Sequence, residues 1–325
     1  MRLRIDTESW PIRGQFKISR GSKTCAEVVL VTLEQDGYTG RGECVPYAHY
    51  GESCASVSAQ IEGLRKPIEQ GMTREQLQQA LHPGAARNAL DCALWDLQAR
   101  QSGQRVWQLL GVDIPEPTIT AYTLSLDSPE NMQRAAQANA ARPLLKLKLA
   151  GEGDIERVQA VRGGAPDARL IVDANEGWDA ALYRKMVPEL FNLGVEMIEQ
   201  PLPVTSDHAL LDLPRPITLC ADESCHTRDS LGKIIGKYDM INVKLDKAGG
   251  LTEALQLCQQ AQAEGLQIML GSMLATSLAM APAMLLAETA TVVDLDGPLL
   301  LECDRQPGLE FTDNRVYPPS PELWG

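Results

Sequence analysis

Leu170-Ile-Val-Asp-Ala-Asn175 sets one carboxylate, Asp173, at the end of a short apolar run. A run of this length and composition reads as a strand buried on both faces. An isolated acid at a strand end is ordinarily a solvated charge, but the pattern recurs on either side. Lys146 and Lys148 close the apolar run before it, and Glu199, Asp222 and Lys244 close the runs after it. Positions 148, 173, 199, 222 and 244 stand 25, 26, 23 and 22 residues apart, about the length of one strand, one helix and their turns.

Working outward, strands are expected over 118–126, 144–149, 170–172, 195–198, 217–220, 240–243, 267–270 and 291–295. Helices lie between several of them, such as 131–141 and 252–264. Eight short apolar strands with helical connections predict an α/β fold, a TIM-like barrel, and no eighth helix is legible after Pro298, so the expected form is (β/α)7β. Upstream, Val28–Leu33 and Thr39–Glu43 flank a Gln35-Asp-Gly37 turn signal and predict an antiparallel hairpin. Ala85–Arg100 carries Ala89, Ala93, Leu94 and Leu97 at helical spacing. We therefore expect an N-terminal α+β capping and specificity domain over 1–115, with the linker Gly111-Val-Asp-Ile-Pro-Glu-Pro117 at its end. A catalytic barrel follows over 116–298, and the Pro-rich tail, 299–325, returns to the first domain.

Composition narrows the function classes. The net charge of -13 argues against a nucleic-acid partner, which needs clustered Lys and Arg to neutralise phosphates. No apolar run approaches the roughly 20 residues of a membrane span, and the opening MRLRIDTESWPIRG has no apolar stretch of signal-peptide length, so a cytoplasmic location is expected. The eight cysteines form no CxxC pair and have no His at zinc-ligand spacing, which suits reduced, small core residues. A homo-oligomer is compatible with the sequence, which does not fix the oligomeric state.

In a parallel barrel, polar residues at the carboxyl ends of strands converge on one mouth. Counting strands puts Lys146 and Lys148 on the second, Asp173 on the third, Glu199 on the fourth, Asp222 on the fifth and Lys244 on the sixth. Lys148 and Lys244 then face each other across the mouth, with the carboxylates between them. Three converging carboxylates repel unless they share a hard divalent ion, and an oxygen-only donor set points to Mg²⁺. Lys146 and Lys148 share one side of their strand. A neighbouring ammonium and a nearby metal should lower a lysine towards the base range, making Lys148 a usable general base. Two opposed bases beside a metal that holds a carboxylate fit proton abstraction next to that carboxylate through an enediolate, giving racemisation or epimerisation.

The quoted motifs, Lys146-Leu-Lys148, Asp173-Ala-Asn175, Glu199-Gln-Pro201, Asp222-Glu-Ser224 and Lys244-Leu-Asp-Lys-Ala-Gly-Gly250, resemble the enolase superfamily and its muconate-lactonizing subgroup. The resemblance extends over essentially the whole chain. It implies Asp173, Glu199 and Asp222 as Mg²⁺ ligands and Lys148 and Lys244 as the acid/base pair. Asp294-Leu-Asp296-Gly-Pro298 resembles the dipeptide epimerases, in which such a pair holds the substrate's α-ammonium group. Ser19-Arg-Gly-Ser22, Tyr50-Gly-Glu-Ser53 and Ala221–Thr227 are most similar to bacterial epimerases of L-Ala-D/L-Glu, whose substrates come from murein peptide recycling. The same resemblance implies that Arg20 receives a glutamate side chain, that Thr123 and Ser272 lie near the substrate backbone, and that Lys146 touches the substrate carboxylate. N-acylamino acid racemisation and o-succinylbenzoate formation are the alternatives in chemistry, and Asp294 and Asp296 speak against both, since those substrates lack a free α-ammonium. A catalytically silent peptide-binding barrel is the non-enzyme alternative, and the two lysines speak against it. His49, His226, Glu223 and Asp246 are read as structural or supporting residues.

Overall fold

The computed structural model describes residues 1–325. The chain opens with three antiparallel strands, β1 (Arg2–Ile18), β2 (Gly21–Gln35) and β3 (Tyr38–Cys44). The hairpin expected from the turn at Gln35-Asp-Gly37 is β2–β3. The long β1, which pairs with β2 from Arg2↔Glu34 to Ile18↔Gly21, has no counterpart in the sequence reading. It is an edge strand whose largely exposed face carries charged residues, and Pro11, which cannot donate to a ladder, sits within it. The helix Ala85–Ser102 packs on this sheet. Contact is close enough that a Cβ on Gly42 would lie 2.1 Å from the Ala89 carbonyl oxygen, so only glycine fits there.

The expected first barrel strand, 118–126, is two short pieces instead. β4 (Thr118–Ile119) leaves the barrel to pair with the tail, while β5 (Tyr122–Leu124) begins the ring. β6 (Leu144–Lys148), β7 (Arg169–Asp173), β8 (Val195–Glu199), β9 (Thr218–Ala221), β10 (Met240–Val243), β11 (Gln267–Gly271) and β12 (Val292–Asp294) follow, each parallel to its neighbour. The Ala121 amide donates to the Val293 carbonyl at 2.8 Å and joins the last strand to the first. Full helices, Asp154–Gly164 and Ala180–Asn192, connect the strands whose markers stand 25 and 26 residues apart. Where the spacing shrinks to 23 and 22, the connections are only a 3-10 turn, Asp207–Asp212, and a short pair, Arg228–Ser230 and Leu231–Ile234. After β12 only Gly297–Leu300 is helical, as the (β/α)7β form requires.

The tail packs back on earlier parts of the chain. Glu302 N donates to Pro11 O at 2.8 Å, the Trp324 indole donates to Cys92 O at 3.1 Å, and β13 (Phe311–Thr312) with β14 (Arg315–Val316) adds to β4. No helix is long and apolar enough to cross a membrane. All eight cysteines are free and five are buried.

Asp246, just after β10, ties the cap to the barrel by accepting from Val45 N at 3.0 Å and Asn88 Nδ2 at 2.9 Å. Burial pushes its carboxyl up to about 7 against the usual 3.8. An acid raised in the fold binds its proton more tightly there than when unfolded, so stability falls as pH rises from about 4 to about 7. Asp246→Asn keeps the acceptor oxygen and removes that loss. Thermal melts should show the variant roughly level with the parent at pH 4 and several degrees more stable at pH 8. An equal difference at both pH values would remove this account.

Candidate active site

One inward-facing residue from or beside each barrel strand forms an apolar plug: Ala121, Leu144, Ile171, Met197, Cys220, Met240, Met269 and Val292. Side chains on a strand alternate, so the residue two further on faces the same interior one layer higher. Those eight positions are Thr123, Lys146, Asp173, Glu199, Asp222, Asn242, Gly271 and Asp294. The plug therefore sets the register, and the register delivers a polar layer at the carboxyl ends. Lys148 and Lys244 stand at the mouth side of it, and both are buried.

Asp173, Glu199 and Asp222 each place a carboxylate oxygen within 4.8 Å of the other two, and all three are buried. Lysines surround them. Lys148 Nζ lies 2.5 Å from Asp173 Oδ2, and Lys244 Nζ lies 2.6 Å from Asp222 Oδ2 and 3.9 Å from Glu199 Oε1. Lys146 Nζ is shared among Glu199 Oε2 at 2.6 Å, Asp294 Oδ2 at 2.7 Å and Asp173 Oδ2 at 3.5 Å. The contact to Glu199 lacks hydrogen-bond geometry, so Glu199 Oε2 is a buried acceptor without a hydrogen-bond donor.

Burial raises all three acids, and the neighbours decide the outcome. At Asp173, Lys148 and Lys146 outweigh burial and bring the carboxyl below its usual value; Lys244 and Lys247 hold Asp222 well below it. Glu199 goes the other way, pushed up to about 7 by burial and by the charge of Asp173. Burial works to lower Lys146 and Lys244, but the carboxylates around each outweigh it, and both sit above the ordinary lysine value. Each of these two lysines has a carboxylate oxygen within 2.7 Å.

A cavity of about 380 Å³ opens above this layer, with Lys148, Asp222, Glu223, Lys244 and Ser272 on the barrel side and Phe16, Ile18, Arg20, Tyr47 and Tyr50 on the cap side. Arg20 reaches it from the turn between β1 and β2. Thr123, Lys146, Asp294 and Asp296 do not line it and are buried. Asp296 Oδ2 accepts from Thr123 N at 2.6 Å, and burial together with the charge of Asp294 pushes its carboxyl up to about 7. Ser272 Oγ donates to Asp294 O at 3.3 Å, while Asp294 Oδ1 is buried with no hydrogen-bond partner.

Several supporting residues escaped the sequence reading. Lys247 Nζ donates to Asp222 Oδ1 at 2.6 Å and Asn242 O at 3.0 Å, and Asn242 Nδ2 donates to Glu199 Oε1 at 2.7 Å. Gln200, at a positive φ of 36°, accepts from Asp222 N at 2.9 Å through its side-chain oxygen. Asn242 was discoverable, since it stands two residues after Met240 in the repeating register. Glu223 pairs with Arg20 at 2.6 Å, and His49 Nε2 lies 3.0 Å from Glu176 Oε2; nothing local in sequence marks either contact.

Residues 1–111 match the N-terminal domain of mandelate racemase / muconate lactonizing enzyme, and residues 130–321 match the enolase C-terminal domain-like family. The chain belongs to the mandelate racemase/muconate lactonizing enzyme family of the enolase superfamily. Within that family it is 48% identical to the L-Ala-D/L-Glu epimerase of Escherichia coli (strain K12), over 97% of this chain and 99% of the relative. It is 45% identical to the N-acetyl-D-glutamate racemase of a Pseudoalteromonas species, over 92% and 95%. A solved family member from Agrobacterium tumefaciens with homology to dipeptide epimerases, holding sodium and L-Ala-L-Glu with an ordered loop, superposes with a TM-score of 0.98 at 49% identity, covering 99% of each chain. The dipeptide epimerase of Enterococcus faecalis, complexed with Mg and L-Leu-L-Tyr, has a TM-score of 0.89 at 27% identity, covering 98% and 97%.

Proposed function

We propose that this chain is a Mg²⁺-dependent epimerase of dipeptides, acting at the α-carbon of the C-terminal residue and interconverting L-Ala-D-Glu and L-Ala-L-Glu. The observation that carries it is a pair of lysines, Lys148 and Lys244, reaching one cavity from the second and sixth strands of an eight-stranded ring with three buried carboxylates between those strands. Asp173, Glu199 and Asp222 suit Mg²⁺, since they offer a close, buried, oxygen-only set and Glu199 keeps one oxygen without a donor. Bound there, Mg²⁺ would supply positive charge for the substrate's carboxylate, where negative charge grows as the α-proton leaves, and would share the carboxylate charge that holds Lys244 protonated.

The chain's own residues do the rest. One lysine takes the α-proton from one face and the other returns a proton to the opposite face, so the same pair runs both directions. In this reading Asp294, whose Oδ1 is buried and unpartnered, takes the dipeptide's ammonium group together with Asp296, while Thr123 and Ser272 meet the peptide backbone and Lys146 meets the carboxylate. Arg20 at the rim takes the glutamate side chain. Assignment to murein peptide recycling in the cytoplasm follows from the resemblance to bacterial L-Ala-D/L-Glu epimerases.

N-acetyl-D-glutamate racemisation is the second reading, favoured by the Pseudoalteromonas relative. It shares the glutamate side chain but brings no ammonium to Asp294. With Mg²⁺ in heavy water, L-Ala-L-Glu and L-Ala-D-Glu should each exchange the glutamate α-hydrogen and interconvert, measured by NMR. Exchange of N-acetylglutamate alone would move the assignment to the second reading, and silence across a wide panel of dipeptides and N-acyl amino acids would end both.

A further inference from the structure

Arg20 is already committed to protein partners within the cavity. Its NH1 donates to Asn175 O at 2.8 Å and Glu176 Oε2 at 3.3 Å, and its NH2 donates to Tyr47 OH at 3.2 Å and Glu223 Oε1 at 2.6 Å. Both terminal nitrogens of the guanidinium are used, so an incoming carboxylate finds a two-pronged edge only after one contact is exchanged.

The surroundings indicate which of the charged contacts gives way. Asn175 O is main chain in a turn of positive φ. Glu176 is pinned, with Oε1 accepting from Val204 N at 2.9 Å and Oε2 lying 3.0 Å from His49 Nε2. Glu223 has no such anchor: Arg20 is the only donor to Oε1, and its Oε2 is buried without a hydrogen-bond partner. Its side chain is 1% exposed and it lines the cavity.

We infer that Glu223 is the exchange partner of Arg20, a positioning residue that holds the guanidinium at the rim before the substrate's side-chain carboxylate takes it and reclaims it when product leaves. This rests on the assignment of Arg20 to that carboxylate. Substrate and product of an epimerisation carry the same side chain, so an anchor that grips both equally lowers KM without raising the rate. A buried carboxylate left unpaired when Arg20 turns away is costly, and that cost loosens the grip on both epimers and favours release.

Glu223→Gln keeps an acceptor for Arg20 and removes the competing charge. For L-Ala-L-Glu its KM should fall roughly fivefold and its kcat by a similar factor, the scale of one partly solvated ion pair, with kcat/KM little changed. L-Ala-L-Gln, the neutral analogue of the same shape, should not follow when measured as a competitive inhibitor. In an Arg20→Met background the Glu223 substitution should do nothing further. A rise in KM, an equal shift for L-Ala-L-Gln, a shift that persists without Arg20, or a parallel loss of Mg²⁺ affinity each overturns the proposal. Failure of the underlying assignment reads differently: Arg20→Met alone would leave the preference for L-Ala-L-Glu over L-Ala-L-Gln intact. Glu223→Ser, judged by the same ratios, serves if the Gln variant melts early.

Discussion

Lys148→Ala and Lys244→Ala are each expected to lower kcat for epimerisation of L-Ala-L-Glu by about 10³-fold or more, at the upper end of what a positioned acid or base contributes. Their exchange reactions should differ. With one lysine gone, the other still faces one hydrogen, so one variant exchanges the α-hydrogen of the L-Glu epimer in heavy water and the other that of the D-Glu epimer. An epimerisation rate within tenfold of the parent in either variant would sink the two-base reading, and exchange of both epimers by one variant would show that a single base serves both faces. The variants should also differ in stability without Mg²⁺. Asp222 keeps Lys247 at 2.6 Å when Lys244 is removed, whereas the one lysine left to Asp173 without Lys148 is Lys146, at 3.5 Å. Lys148→Ala should therefore melt lower, because a buried carboxylate that loses its nearest partner is left poorly compensated.

How much of this was legible follows from where each signal lives. The barrel strands and Asp173, Glu199, Asp222 and the lysines were readable because each ends a buried run, and alternation carries a polar residue two positions beyond an apolar plug residue onto the same inner face. β1 was not, because Pro11 and the charged, exposed positions along it interrupt the local alternation, and its pairing with β2, from Ile18↔Gly21 out to Arg2↔Glu34, defines it instead. The two-piece start of the barrel was hidden by a distant partner: Thr118 and Ile119 are claimed by Arg315 and Val316, almost 200 residues away in sequence. Glu223 stood in view beside Asp222, but its partner Arg20 lies 203 positions earlier, and no local spacing announces such a pair. Spacing along the chain reports which residues share an element, whereas the rim is built from loops of two domains, whose meeting is a property of the fold.

The carboxylate layer leads to the second large effect. Glu199→Gln replaces an acid that touches Lys146 through one oxygen at 2.6 Å and accepts from Asn242 through the other at 2.7 Å. A glutamine has one acceptor and one donor end, so whichever way it lies, an NH₂ meets a lysine or an amide donor. The site loses one of its three negative ligands and gains a donor facing a donor. Mg²⁺ affinity is expected to fall by at least about 100-fold, since the remaining two acids present less charge and an incomplete oxygen set, and kcat should drop by about 10³-fold or more at any attainable Mg²⁺ concentration. Thermal stability separates loss of metal from loss of fold. A ligand that binds only the folded chain raises the melting temperature with concentration, so Mg²⁺ should stabilise the parent progressively and leave Glu199→Gln unmoved. If the variant still melts higher with Mg²⁺, at the same midpoint as the parent, the ion is held by other groups and the three-carboxylate assignment fails, whatever happens to the activity. If it does not, the strand-end acids at 173, 199 and 222 act as one set, and the apolar plug beneath them, by fixing their register, is as necessary to the metal as the carboxylates themselves.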